Sequence, residues 1–167
     1  MSKKSTLIMI SMLFLFTAIS QAQPYYVMIP GADFQGVNGT TEEYFINRNG
    51  GYVYNISGYA DLCAPVYFPH DKKSVKCMSV ELLDNNVNGA IRVALYRRDM
   101  YTGVVWKVFE VSTTVGYASG SDTATDIIHD CIGIYRYIDN SRIQWYLELD
   151  LSPGTHIRLY QVRIKYE

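Results

Sequence analysis

The chain reads as an all-β protein, a single antiparallel β-sandwich of jelly-roll-like layout, and three observations predict it. Apolar and polar residues alternate with period two in "VKCMSVELL", "IRVALY", "GVVWKVFEV" and "IQWYLELDL", as expected of strands with one buried face. Clusters of Asp, Asn, Gly and Pro separate these runs at short intervals. Fifteen tyrosines add a strand-favouring side chain whose ring packs while its hydroxyl stays in water.

The leader comes first. Residues 1–22 carry Lys3 and Lys4, an apolar run from Leu7 to Ala18, and the small residues Ser20 and Ala22, which together describe a secretory signal peptide cleaved after Ala22. The run is shorter than the roughly 20 residues that cross a bilayer. Residues 23–167 are therefore expected to be one exported domain, secreted, periplasmic or extracellular, with no membrane span in the mature chain. A chain of that size buries roughly two thirds of its unfolded surface, enough for a core without heavy stapling. The net charge of −1, with both signs interspersed along the sequence, offers no field for nucleic acid or an anionic membrane.

The elements follow in order. Gly50-Gly51 opens the Tyr-rich run GGYVYNISGY. "CAPVYFPHDKKSVKC" reads as two extended pieces around a charged turn, with Val66 and Phe68 on one face of the first and Met78, Val80 and Leu82 on one face of the second. Asp84-Asn85-Asn86-Val87-Asn88-Gly89 makes a turn before a strand with Ile91, Val93 and Leu95 in phase. Ile127, Ile128 and Cys131 lie at helical spacing after capping-type residues, so a short helical turn is allowed near 121–131. Asp139-Asn140-Ser141 then links two strands, the second with Trp145, Leu147, Leu149 and Leu151 on one face. Pro153-Gly154 turns into a last strand whose apolar phase slips between Leu159 and Val162, which a β-bulge would reconcile. Six to nine strands result, and Arg163 and Lys165 would blunt an edge if the last one is an edge strand.

Three cysteines allow one bridge. Zinc needs four ligands in paired short spacings and a redox pair needs C-x-x-C, and neither pattern is present. In an exported chain a disulfide remains, and strand phase favours Cys63 with Cys77, both on the phase opposite the core residues. Cys131 would then be an inert thiol among isoleucines, although pairs of Cys131 with Cys63 or with Cys77 stay open.

The segments "APVYFPHDKKSVKCMSVELLDNN", "IRVALYRRD", "YIDNSRIQWYLELDL" and "IRLYQVRIKY" together resemble a set of uncharacterised secreted bacterial β-sandwich domains over roughly residues 60 to 166. Those domains share an "APVxLPxGA" segment, a "DN" turn before an "LxR" strand and an "RLYxVRIxY" ending; here Asp71-Lys72 replaces the Gly-Ala. The resemblance implies the fold and export, and it supplies no activity, cofactor or site.

Catalytic and metal chemistry find little to build on. His70 beside Asp71, His129 beside Asp130, and His156 are the candidate bases, but neighbours in a strand face opposite ways. No nucleophile elbow, zinc-protease helix or phosphate loop occurs, so no catalytic residue, metal ligand or cofactor is assigned. Asp84-Asn85-Asn86 could offer oxygens to Ca²⁺ yet lacks the EF-hand spacing and is read as a turn. Asn38-Gly39-Thr40 and Asn55-Ile56-Ser57 match the glycosylation pattern by chance in a chain with a bacterial-type leader.

Two readings remain. The chain is a non-enzymatic module with a structural or protein-interaction role, partnered by itself as a homo-oligomer or by a surface protein. Alternatively it is a carbohydrate-binding module whose exposed tyrosines stack on a glycan. The discriminating residues are Tyr52, Tyr54, Tyr59, Tyr135 and Tyr137, with Tyr135 and Tyr137, opposite in phase to Ile134 and Ile138, as the foremost ligand-facing pair. The leader predicts that the exported product starts at Gln23, and its intact mass checks this; a folded, membrane-held product retaining residues 1–22 would refute it.

Overall fold

The computed structural model describes residues 23–37, 44–58, 60–86, 88–113 and 126–167, with backbone alone at 126–129 and 132–136. Two antiparallel sheets face each other. The first has the order β3 (Tyr44–Asn47), β4 (Tyr52–Asn55), β11 (Ile157–Tyr166), β6 (Ser74–Asp84), β9 (Asp126–Tyr137), and β1 (Tyr25–Pro30) also pairs with β11. The second has the order β2 (Gln35–Gly36), β5 (Ala60–Val66), β10 (Ile143–Leu151), β7 (Ile91–Asp99), β8 (Val105–Ser112). The expected antiparallel β-sandwich is thus observed, with more strands than the alternation alone separates, because β1 to β4 are short.

The core forms where the inward rows of the two sheets meet. Val80 and Leu82 of β6 and Val162 and Ile164 of β11 face Leu147, Leu149 and Leu151 of β10 and Val93 and Leu95 of β7, all buried. Burying such side chains contributes about 1.5–3 kcal/mol each. The expected slip in β11 is present, since the pairing with β6 breaks register between Leu159 and Gln161. Next to it, Gly31 in the 3-10 turn Gly31–Asp33 lies against β11, where a Cβ would come within 2.1 Å of the Leu159 carbonyl oxygen. Only glycine fits there.

Three expectations are corrected. Residues 126–131 belong to strand β9, so the helical spacing of Ile127, Ile128 and Cys131 does not produce a helical turn there; 121–125 lie outside the described residues. Pairing with β6 overrides the local preference. The last strand, β11, is central, flanked by β1 and β4 on one side and β6 on the other, so Arg163 and Lys165 guard no edge. Lastly, the disulfide joins Cys77 to Cys131, which are direct cross-strand partners of β6 and β9 with Cα atoms 4.3 Å apart, and Cys63 is free.

Cys63 and Cys77 both lie off the core, as their phase requires, and that is why they cannot meet. Residues 67–73 do not close a hairpin; they carry the chain from the second sheet to the first. Cys63 and Cys77 therefore point outward from opposite sheets, which pack about 10 Å apart. The bridge closes a loop over a sequence separation of 54. Chain-entropy reasoning gives about 4 kcal/mol for such a loop. Cys77→Ser and Cys131→Ser are each expected to lose about 2–5 kcal/mol in urea unfolding, whereas Cys63→Ser changes stability by less than about 1 kcal/mol. Non-reducing peptide mapping should return a Cys77–Cys131 peptide, and a Cys63-containing bridge as the main species would reject this pairing.

Candidate functional site

Two depressions of the described surface meet at the C-terminal end of β5. Alternation continues past the strand, so Val66 and Phe68 point into the core while Tyr67 points out and is 81% exposed. Phe68 is held edge-on by Trp145 of β10 at 5.3 Å and by Tyr166 of β11 at 5.1 Å. This fixes the backbone that carries Tyr67.

A depression lies on each side of Tyr67 and Pro65. One, of about 550 Å³, opens along the seam between β1 and β5 and carries the polar side chains Asp33, Gln35 and Arg48. The other, of about 450 Å³, lies at the end of the sandwich and is lined by Met100, Asn140, Ile143, Gln144 and the aromatic pair Phe68 and Trp145. Trp145 is 2% exposed, and its indole Nε1 has no hydrogen-bond partner among the described residues. A buried donor left so costs about 1–3 kcal/mol. Asn140 is fixed as well, donating from Nδ2 to the Phe68 carbonyl and from its backbone N–H to Asp71 Oδ1, both at 2.8 Å.

The Met100 wall is set by Asp99. Its carboxylate accepts the backbone N–H groups of Tyr101 and Thr102 at 2.9 and 3.1 Å and the Arg142 guanidinium at 2.7 Å. The Thr102 N–H first, then Arg142 and the Tyr101 N–H, outweigh desolvation and hold its pKa below the ordinary carboxylate value. Stabilisation from a depressed carboxyl is present at neutral pH and lost as pH falls through the folded value.

The sequence-predicted residues fall elsewhere. Tyr52 and Tyr54 sit half-buried on the outer face of the first sheet in a chain of rings with Phe45 and Tyr160. Tyr137 is exposed on β9, opposite Ser74 at the far edge of the same sheet, while Ile138 is buried as its phase requires. Tyr135 belongs to the same strand with its side chain outside the described residues, as is the whole of Tyr59. The structure thus brings Tyr52 and Tyr54 together and leaves Tyr137 apart from them. Among the candidate bases, Nδ1 of His70 is hydrogen-bonded to the Tyr166 hydroxyl at 2.9 Å, and its ring packs on Tyr25 at 4.3 Å. Asp130 accepts the Glu110 backbone N–H at 2.9 Å. Asp84 is buried and accepts the Thr113 hydroxyl, and buried Asn55 donates to the Gly58 and Leu151 carbonyls, so both are structural. Among the described residues no group of three His, Cys, Asp or Glu side chains is placed to hold a metal, and no helix is long and apolar enough to cross a membrane.

No family model matches the chain, and no curated protein matches it. Among solved structures it is similar to the C-terminal CBM6 of LamC, a marine laminarinase from Zobellia galactanivorans, with 14% identity and a TM-score of 0.48 over 84% of this chain and 98% of that one. It is also similar to a family two carbohydrate esterase from Cellvibrio japonicus, with 12% identity and a TM-score of 0.41 over 87% of this chain, and it spans 35% of the esterase chain. At these identities and scores the likenesses transfer neither ligand nor site residues.

Asp99 yields a prediction. In a pH titration followed by NMR, the amides of Tyr101 and Thr102 are expected to shift together with a midpoint below the ordinary Asp value, reporting loss of the turn as the carboxylate is protonated. A midpoint at or above that value would contradict the hydrogen-bonded geometry.

Proposed function

We propose that the chain is an exported, non-catalytic binding module that takes a neutral carbohydrate in the groove around Tyr67. One observation carries this reading: an aromatic ring 81% exposed to solvent stands between two depressions that both carry polar side chains able to hydrogen-bond. A sugar ring presents an apolar C–H face to such a ring and hydroxyls to its flanks, and the groove supplies amides at Asn140 and Gln144 and one charge of each sign at Asp33 and Arg48. Of the candidate bases, His70 is committed to a contact with Tyr166 of β11, which supports a binding role.

The structural reading keeps one specific observation. Met100, Tyr101, Val104, Val105 and Trp106 are all exposed, and they run through the β7–β8 hairpin to β8, an edge of the second sheet. Self-association would cover that edge.

Binding of the mature protein to a panel of neutral glycans, read by array and then calorimetry, tests the groove. Tyr67→Ala is expected to weaken binding about tenfold or more, while Tyr67→Phe keeps most of it. Unchanged affinity in Tyr67→Ala would sink the groove as the site, and a concentration-dependent dimer with no glycan bound would favour the hairpin reading.

A further inference from the structure

The interspersed charges of the sequence are sorted in space. On the outer face of the second sheet, Arg92 of β7 bonds Asp150 of β10 and lies 3.3 Å from Glu110 of β8, which also takes Lys107 at 2.6 Å. Those charges neutralise one another. On the outer face of the first sheet, β11 presents Arg158, Arg163 and Lys165, and none of the three has a salt-bridge partner among the described residues. Glu81 shares that face from β6 and accepts from Gln161.

Aromatic rings hold two of these cations in place. The Arg158 guanidinium lies 4.8 Å over the Tyr52 ring and donates from Nε to the Thr155 carbonyl, and Arg163 lies 4.9 Å over Tyr26. Tyr52 is one link in the chain Phe45–Tyr54–Tyr52–Tyr160, with centroids 5.3, 6.2 and 5.3 Å apart. At one end Phe45 is 46% exposed, and beside Arg163 Tyr26 is 47% exposed. Cation–π contact holds these arginines, which are always charged, without a carboxylate, so their charge is available to a partner.

We infer that this face is a docking surface for an acidic polysaccharide, whose carboxylate or sulfate groups pair with Arg158, Arg163 and Lys165 while its sugar rings lie along the row of aromatic side chains. Charge complementarity selects an anion, and guanidinium forks match carboxylate and sulfate oxygens. The row of rings selects a sugar polymer over a lipid surface, which would be met by protruding apolar side chains, and three cations on a flat sheet are too sparse to follow a phosphate backbone. None of Tyr52, Tyr160, Arg158 and Arg163 lines the groove, so this surface stands or falls separately from the groove reading.

The test is affinity electrophoresis of the mature protein in gels containing polygalacturonate, alginate or chondroitin sulfate, with methyl-esterified polygalacturonate as the uncharged control. Retardation by at least one acidic polymer is expected, weakening as salt is raised, with the ester about tenfold poorer than the free acid. The double variant Arg158→Ala/Arg163→Ala, confirmed as folded by circular dichroism, is expected to lose about tenfold in affinity. The inference is overturned by retardation in none of the acidic gels, by equal retardation in the ester, by a double variant that binds as the parent does, or by equal binding to phosphatidylserine vesicles with the same arginine dependence. The polymer comparison needs no variant, so a misfolded double mutant does not decide the outcome.

Discussion

Phe68 is the contact on which the two-sheet arrangement turns. It is 3% exposed and touches Trp145 of the second sheet and Tyr166 of the first, both edge to face. The chain crosses between sheets just after it, and the crossing is tied at several points. Lys72, held at a φ of 61°, donates its N–H to the Ile138 carbonyl at 3.0 Å, and Ile138 returns a bond to Lys73 at 2.7 Å. Ser74 and Glu167 exchange backbone bonds at 2.8 and 3.0 Å, which fastens the residue after β11 to the start of β6. With Phe68 fixed inward, Tyr67 has nowhere to go but outward.

The same alternation makes the two outer faces chemically different. On the second sheet, oppositely charged side chains of β7, β8 and β10 meet across strands, and the stacked pair Tyr96 and Tyr146, at 5.5 Å and 14°, turns its rings toward each other. Burial first, and then Glu148, raise the pKa of Tyr146. On the first sheet, Arg158 and Arg163 stand over tyrosine rings and neither forms a salt bridge among the described residues, while Lys76 pairs with Glu167.

Phase was legible in the sequence, and strand partnership was not. Trp145, Leu147, Leu149 and Leu151 are buried as their alternation requires, and the slip between Leu159 and Val162 is a real break in register. Alternation also places Cys63 and Cys77 outward, but period two says nothing about which sheet a strand joins. The error over the disulfide comes from reading residues 67–73 as a hairpin, and the misplacing of Arg163 and Lys165 comes from equating the last strand with an edge. Tyr67 was open to discovery, because the phase that buries Val66 and Phe68 exposes the residue between them. The depressions beside it were not, since Arg48 and Asp33 on one side of Tyr67 and Gln144 on the other are brought near it only by the tertiary fold.

The bulge in β11 connects these features. Leu159 and Gln161 pair with successive residues of β6, Leu82 and Glu81, which leaves Tyr160 as the extra residue of the bulge. At that point the partner on the other side of β11 changes: Leu159 pairs with Val53 of β4, whereas Gln161 to Tyr166 pair with β1. The change requires β1 to leave β11 within a residue, and Gly31, lying against the Leu159 carbonyl, permits that exit. Two tyrosine-bearing strands thereby share one flank of β11, so that Tyr52 reaches Tyr160 and Arg158 on one side of the bulge and Tyr26 reaches Arg163 on the other. A regular β11 would pair along its length with one neighbour, and the rings and cations of this face would not form one surface.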